Sequence, residues 1–181
     1  PGAVGVAVPN TECRIVDPET GKDCGADEEG ELWIRGPQVM KGYLNNAQAT
    51  AATITDDGWL RTGDLAAIDA NGELWIRDRL KELIKFKGFQ VAPAEVEAVL
   101  LTCPGVGDCA VLAAQDEEAG EVPVAYVVQA PGADITADDI LASIEGRLVS
   151  YKVPRAITFI DAIPKTASGK ILRRELKKMM A

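Results

Sequence analysis

The apolar pattern of this sequence changes period near residue 80, and this change restricts the possible folds more than any other feature. Before it, short alternating segments are separated by Gly, Pro, Asn and Asp, as in an antiparallel β region. After it, apolar runs alternate with segments of helical period. We therefore predict an α+β fold in which a β-rich part meets a part of mixed strands and helices within residues 77–81.

The β-rich part carries one strong hairpin signal and one helix signal. Asn71 and Gly72 stand between two alternating runs, which predicts a tight turn between antiparallel strands. Asn46 precedes a short helix and can cap its first turn. The predicted strands cover residues 12–17, 31–35, 65–68 and 73–77, and the predicted helix covers residues 47–53.

The second part carries two clear helix starts. Pro93 is tolerated in the first turn of a helix, where its missing N–H costs nothing. Thr136 and Asp139 have the spacing of a capping box, and the apolar stripe after them extends the predicted helix to Leu148. The predicted strands cover residues 106–113, 122–128 and 156–160, and the predicted helices cover 93–101, 136–148 and 171–180.

Composition excludes several classes of site. The 181 residues include no histidine, which excludes histidine-based triads and histidine-ligated zinc within this chain. Cys13, Cys24, Cys103 and Cys109 contain no Cys-x-x-Cys pair and are predicted to be unpaired thiols in a reducing cytoplasm. No apolar run approaches the ~18 residues of a membrane span. Because the sequence begins at Pro1, without an initiator Met or a signal peptide, we expect a piece of a longer protein.

The charge of the chain is unevenly distributed. The net charge of −9 argues against binding to nucleic acid or to an anionic membrane surface. Nevertheless, residues 77–87 and 165–178 together hold 11 of the 19 basic residues. Basic islands in an acidic chain fit a small polyanion such as a nucleotide, although two solvated charged faces would give the same pattern.

Two of the more specific segments point to a bound nucleotide without requiring one. In segment 58–64, Asp64 follows a Thr-Gly turn and is suited to accept hydrogen bonds from a ribose diol, but it could equally be a turn aspartate. In segment 78–90, basic residues surround a short apolar pair, which fits either a ligand-binding face or a charged hinge.

A third segment, residues 164–170, places a lysine in a glycine-containing loop. It is not a phosphate-binding P-loop, because Pro164 and Ile171 occupy positions where that motif requires Gly and Ser or Thr. Lys170 can nevertheless reach a phosphate as a point charge from such a loop. The position of Lys170 is therefore compatible with a bound anion.

Taken in order, segments 30–43, 58–64, 78–97 and 164–170 resemble the C-terminal part of the adenylate-forming superfamily. That superfamily contains acyl-CoA synthetases, firefly-type luciferases and peptide-synthetase adenylation domains, and the chain most resembles the 4-coumarate:CoA ligase branch. The resemblance implies an enzyme that activates a carboxylic acid with ATP and Mg²⁺ to an acyl-adenylate and then transfers the acyl group to CoA. It also implies that residues 1–78 are the β-rich end of the AMP-binding N-terminal domain, 79–82 a hinge, and 83–181 the small mobile C-terminal domain.

The resemblance implies roles in adenylation for five residues. Asp64 and Arg79 would contact the ribose of ATP or AMP, and Ile76 would pack near the adenine. Lys170 would bridge the acyl carboxylate and the α-phosphate and so offset the charge that develops in the transition state. Gln90 would assist the same step.

For the second step, the resemblance implies that Lys85 approaches the AMP phosphate after the C-terminal domain has rotated about Lys81. Gly88 would line the tunnel for the pantetheine arm of CoA. The phosphate loop, the acyl pocket and the glutamate that holds Mg²⁺ would lie upstream, so no metal ligand is expected in this chain. We therefore expect the isolated chain to be inactive.

Two alternatives remain at this point. The chain could belong to a luciferase-like enzyme or to a peptide-synthetase adenylation domain, rather than to a CoA ligase. It could also serve as a module for reversible acetylation, because the spacing of Pro164, Gly169 and Lys170 looks like the recognition site of protein lysine acetyltransferases in acyl-CoA synthetases. In that case a deacetylase would be the second partner, and Lys170 the modified residue.

Overall fold

The computed structural model describes residues 3–179. The chain divides into two compact units, Pro1–Lys81 and Glu82–Ala181. A short 3-10 turn, Leu80–Glu82, spans the division and carries the exposed side chain of Lys81. Within the described residues, no helix is long and apolar enough to cross a membrane.

The first unit is built on a four-stranded antiparallel sheet with strand order β1-β2-β3-β4. Because side chains alternate across a strand, one face of the sheet collects Ile15, Leu32 and Ala66 into a small buried core. The helix in this unit buries no side chain and is held at its start by Asn46. The elements are β1 Glu12–Val16, β2 Gly30–Arg35, α1 Ala47–Thr53, β3 Leu60–Ile68 and β4 Leu74–Arg79.

The second unit is a five-stranded sheet with helices on both faces. Its strands run in the order β6-β5-β8-β7, and β9 lies parallel to β8. The elements are β5 Ile84–Phe86, β6 Phe89–Val91, α2 Pro93–Leu100, β7 Val106–Asp116, β8 Gly120–Gln129, α3 Ala137–Ser143, β9 Ala156–Phe159 and α4 Arg173–Met179.

Alternation along β7 divides the core of this unit between two clusters. Val111 faces the larger cluster, which includes Leu100 of α2 and Ile140 of α3. Its neighbour Leu112 faces the smaller cluster, which includes Leu176 of α4. The buried Leu176 therefore fixes the short basic helix that follows Lys170 against the sheet.

The structure confirms the α+β fold and most of the predicted elements. The strands β3 and β4 form a hairpin around Asn71 and Gly72, and the Ala49 N–H donates to Asn46 Oδ1 at 2.9 Å, as a helix cap should. Both hydrogen bonds of the predicted capping box between Thr136 and Asp139 are present.

Two helix predictions are wrong in their extent. The helix after Thr136 ends at Ser143, and the chain continues in turns through Gly146, a poor helix former. Leu148 still packs against the core, which explains why it fits the apolar stripe without being helical. The last helix begins at Arg173 rather than Ile171, because Ile171 pairs with Lys165 across a turn; Met180 lies outside the described residues.

Candidate functional site

In the first unit, Asp64 and Arg79 lie directly opposite each other on β3 and β4. Arg79 Nε is 3.3 Å from Asp64 Oδ1. A shift in pairing opposite residues 31–33 makes β3 bulge at residues 62–64, which redirects the side chains there. Thr62 fixes the bulge, since its hydroxyl donates to the Leu32 carbonyl at 2.8 Å and accepts from the Asp64 N–H at 3.1 Å.

The exposure of this pair suits it to a polar ligand. The Asp64 side chain is 27% exposed and the Arg79 side chain 57% exposed, so both are open to solvent. Asp64 Oδ2 has no hydrogen-bond partner among the described residues of this unit, and it is available to accept from a hydroxyl. Ile76 is half-buried and packs against the core of the same unit. The roles of these three residues toward a nucleotide stay predictions.

Segment 78–90, which fits either a ligand-binding face or a charged hinge by its sequence, contributes most of a β-hairpin. Its two strands, β5 and β6, are joined by Lys87 and Gly88, with φ angles of 46° and 85°. Lys85 and Gln90 are paired across the hairpin, so their side chains leave the same face. Both are exposed, whereas Ile84, on the opposite face, is fully buried.

The tip of this hairpin is open. A Cβ added to Gly88 would meet no atom within 4 Å, so a side chain there would be limited by the positive φ and not by crowding. The strand that carries Lys85 is held to β8 by Glu121, whose Oε2 accepts the Lys85 backbone N–H at 2.8 Å. Sequence reasoning missed Glu121, because the two residues are far apart along the chain.

Lys170 lies on a second, separate turn of the same unit. The Thr166 N–H donates to the Lys170 carbonyl at 2.8 Å, and the Gly169 N–H donates to the Thr166 carbonyl at 2.9 Å. Gly169 adopts a φ of 81°, which closes the turn. The Lys170 side chain is exposed at the end of this hydrogen-bonded loop.

Ion pairing distinguishes the two predicted catalytic lysines from some of the other cations of their unit. Lys85 and Lys170 form no ion pair with the described residues of Glu82–Ala181, and both are exposed. Their ammonium groups are therefore free to bind an anionic ligand. The cations that do form ion pairs in this unit are Lys87 with Glu118, Lys152 with Glu95, Lys165 with Asp108, Arg173 with Glu97, and Lys178 with Glu175.

The remaining reactive groups do not form a competing site. Burial, with the nearby carboxylate of Glu97, raises the pKa of the Cys109 thiol to about 12, so it stays protonated at neutral pH. Burial also raises the pKa of Cys13 and Cys24. Among residues 3–179, no group of three or more Cys, Asp and Glu side chains could hold a metal ion.

The sequence matches two parts of one known enzyme family. The profile of the AMP-binding enzyme C-terminal domain matches residues 95–170, and that of the AMP-binding enzyme matches residues 1–44. The chain belongs to the AMP-binding enzyme family. The two matches follow one another in the order of the two units.

Relatives match over nearly the whole chain. The chain is 57% identical over 182 aligned residues to 4-coumarate–CoA ligase 1 of Glycine max, and it covers 62% of that protein. It is 54% identical over 180 residues, 99% of the chain, to 4-coumarate–CoA ligase 2 of Nicotiana tabacum, of which it covers 33%. Among solved structures, ATP-bound MatB from Rhodopseudomonas palustris is 36% identical, with a TM-score of 0.93 over 99% of this chain and 36% of that one. The chain thus spans about a third of the length of most of these proteins.

Proposed function

We propose that the protein to which this chain belongs is an acid–CoA ligase that works through an acyl-adenylate. The observation that carries the proposal is the similarity to 4-coumarate–CoA ligases along 99–100% of the chain, including the segments around both exposed lysines. These relatives favour a CoA ligase over a luciferase-like enzyme or a peptide-synthetase adenylation domain. Their names also favour an aryl acid of the 4-coumarate type as the substrate.

In the first step, a carboxylate oxygen of the acid attacks the α-phosphorus of ATP, and pyrophosphate leaves with the electrons of the broken bond. We propose that Lys170 binds the carboxylate and the α-phosphate together, because its ammonium is exposed and forms no ion pair with the described residues of its unit. A fixed positive charge there stabilises the negative charge that builds up at phosphorus. Gln90 would donate hydrogen bonds in the same step, and Asp64, Arg79 and Ile76 would hold the ribose and adenine.

In the second step, the sulfur of CoA attacks the acyl carbon, the thiol proton is lost to solvent, and AMP leaves. We propose that the second unit alternates between two orientations about Lys81 and brings Lys85 to the AMP phosphate for this step. The open tip at Gly88 gives the pantetheine arm room to approach the backbone. Lys85 would stabilise the phosphate of the departing AMP.

Magnesium enters this proposal as the partner of ATP. When bound, Mg²⁺ neutralises phosphate charge and orients the polyphosphate. We propose that its protein ligand lies in the part of the full-length enzyme that this chain does not span, since the described residues 3–179 offer no cluster of carboxylates for it. We also propose a cytoplasmic location, in keeping with four cysteines that form no disulfide in the structure.

We further propose that Lys170 is reversibly acetylated, with an acetyltransferase and a deacetylase as partners. The lysine amine attacks the thioester carbon of acetyl-CoA, CoA leaves as the thiol, and the new amide carries no charge. The exposed turn leaves the Lys170 side chain accessible to an enzyme. Acetylation would remove the charge needed for adenylation while leaving Lys85 intact.

The acetylation proposal is tested by treating the chain with acetyl-CoA and an acetyltransferase and mapping the label by mass spectrometry. We expect label on Lys170, and a loss of adenylation of ~10²-fold or more in full-length enzyme acetylated only there, because the modified side chain is neutral. Label confined to other surface lysines would count against the proposal, and so would full adenylation by the acetylated enzyme.

The proposed function is tested by incubating the full-length enzyme with ATP, Mg²⁺, CoA and a panel of carboxylic acids. We expect acid-dependent release of one AMP for each acyl-CoA formed. The isolated 181-residue chain, run in parallel, should release no AMP above background and bind ATP weakly, because it lacks two-thirds of the length of most relatives. Robust AMP release by the isolated chain, or none by the full-length enzyme with any acid, would refute the proposal.

A further inference from the structure

The first residue of α4 holds the Lys170 turn to the sheet. Arg173 Nη1 donates to Glu97 Oε1 at 2.6 Å and to the Val111 carbonyl at 2.8 Å, and Nη2 donates to Glu97 Oε2 at 3.2 Å. The side chains of Arg173 and Glu97 are only 15% and 10% exposed. This forked, nearly buried contact fixes both the distance and the plane of the guanidinium.

The carboxylate that receives Arg173 is itself fixed. Glu97 is a buried charged residue, with a relative exposure of 8%, and its Oε1 also accepts the Val111 N–H at 2.8 Å. A buried carboxylate is costly unless it is paired and hydrogen-bonded. Arg173, Glu97 and Val111 therefore form one closed network that joins α4, α2 and β7.

The other leg of the Lys170 turn is also attached to β7. Lys165 Nζ lies 2.5 Å from Asp108 Oδ2, and Lys165 pairs with Ile171 across the turn. The loop that carries Lys170 is thus held to β7 on both sides. Before the loop, Lys165 contacts Asp108, and after the loop, Arg173 contacts Val111. Two attachments to one strand leave the turn little freedom to shift relative to the sheet.

Arg173 also reaches the segment next to the predicted hinge. Its Nε lies 3.9 Å from Oε2 of Glu82, the residue that follows Lys81. The same guanidinium therefore links the Lys170 turn, the sheet and the first residue of the second unit.

From this geometry we infer that Arg173 is a positioning residue for Lys170, and that the Arg173–Glu97–Val111 network sets where the Lys170 ammonium meets its anionic ligand. The inference rests on the proposed function for the identity of that ligand, the carboxylate and α-phosphate of the adenylation step. Because a displacement of ~1 Å at a reacting centre can cost ~10²-fold in rate, loosening this network should slow adenylation without touching substrate. The thioester step, which is assigned to Lys85 on another hairpin, should depend on it much less.

The kinetic test compares Arg173→Met with Arg174→Met in the full-length enzyme, since Arg174 is the exposed neighbour on the same helix. We expect Arg173→Met to lower the kcat of adenylation by about 10- to 100-fold with the KM for ATP changed less than about 3-fold, and to spare thioester formation from supplied acyl-adenylate. Arg174→Met should stay within about 2-fold of wild type. Arg173→Lys should recover part of the rate, because it restores the charge but not the forked contact.

A second readout does not depend on the reaction. In the chain itself, the amides of Thr166, Gly169 and Lys170 should exchange hydrogen faster in Arg173→Met than in wild type or Arg174→Met, while the amides of β7 and β8 stay protected. If Arg173→Met folds poorly, Glu97→Gln can replace it in this experiment, because it keeps the size of the side chain that Arg173 contacts. Glu97→Gln should also speed exchange at the Lys170 turn and leave β7 and β8 protected.

The outcomes separate this inference from the proposed function. A wild-type full-length enzyme that forms no acyl-adenylate would refute the function, and the exchange experiment would still decide whether Arg173 holds the turn. Unchanged exchange at the turn, equal loss of both half-reactions, or equal effects of Arg173→Met and Arg174→Met would each overturn the positioning role.

Discussion

Replacing Lys170 with Ala in the full-length enzyme should slow acyl-adenylate formation by ~10²-fold or more, the usual scale for losing one preorganised charged donor to a transition state. The side chain is exposed on a hydrogen-bonded turn and forms no ion pair with the described residues of its unit, so the substitution removes charge without breaking a structural contact. Adenylate formation is measured by rapid quench with labelled ATP.

The same variant should convert supplied acyl-adenylate and CoA to thioester at close to the wild-type rate. Lys178→Ala is a suitable control, because Lys178 is exposed in the following helix and pairs only locally, 2.8 Å from Glu175. A Lys170→Ala enzyme that forms adenylate as fast as the control would contradict the assigned role.

Replacing Lys85 with Ala should have the reverse effect. We expect thioester formation from supplied acyl-adenylate to fall by ~10²-fold, because the developing negative charge on AMP loses its cation. Adenylate formation should stay within a few-fold of wild type. The hairpin itself should survive, since Glu121 binds the backbone N–H of residue 85 and not its side chain.

The hairpin offers its own control for this prediction. Lys87 lies in the two-residue turn with a φ of 46°, and its ammonium is 4.0 Å from Glu118. Lys87→Asn removes a charge at the same tip and tolerates the left-handed backbone. If Lys87→Asn and Lys85→Ala lower the thioester rate equally, the general charge of the hairpin matters, and no specific role remains for Lys85.

The features that were predictable from the sequence depend on neighbours along the chain. The Asn71-Gly72 turn, the Asn46 cap and the Thr136–Asp139 capping box each need only two to four consecutive positions. Local hydrogen bonds determine these turns and helix starts, and the packing of the core is compatible with them. This is why the helices that begin at Ala47, Pro93 and Ala137 start where the local signals predict. The last helix has no such signal, and its start was predicted two residues too early.

The sequence does not predict the hairpin that carries Lys85, because its turn lacks the usual residues. A two-residue turn with two positive φ angles is usually Asn-Gly, whereas here Lys87 occupies the first position. Each strand is only three residues long, and the surrounding charges mask the alternation of Ile84, Phe86 and Val91. The fold forces this conformation through burial of Ile84 and Val91, which a local pattern does not reveal.

The network around the Lys170 turn was beyond local patterns for a different reason. Arg173 and Glu97 are 76 positions apart and lie in two different helices, so no local pattern relates them. Only the packing of α2 and α4 against β7 brings them together and buries their charges. The sequence predicts an anion-binding role for Lys170, but the residues that hold its turn come from tertiary structure.

The most direct test of this account is the amount of acyl-adenylate bound to the Lys85→Ala enzyme when ATP, Mg²⁺, acid and CoA are all present. Chemical quench followed by chromatography measures it against enzyme concentration. If the two lysines serve successive steps, adenylate should accumulate to nearly one per enzyme in Lys85→Ala, whereas Lys170→Ala should hold almost none. Absence of adenylate from Lys85→Ala, or equal amounts in the two variants, would contradict the assignment of the two lysines to two half-reactions.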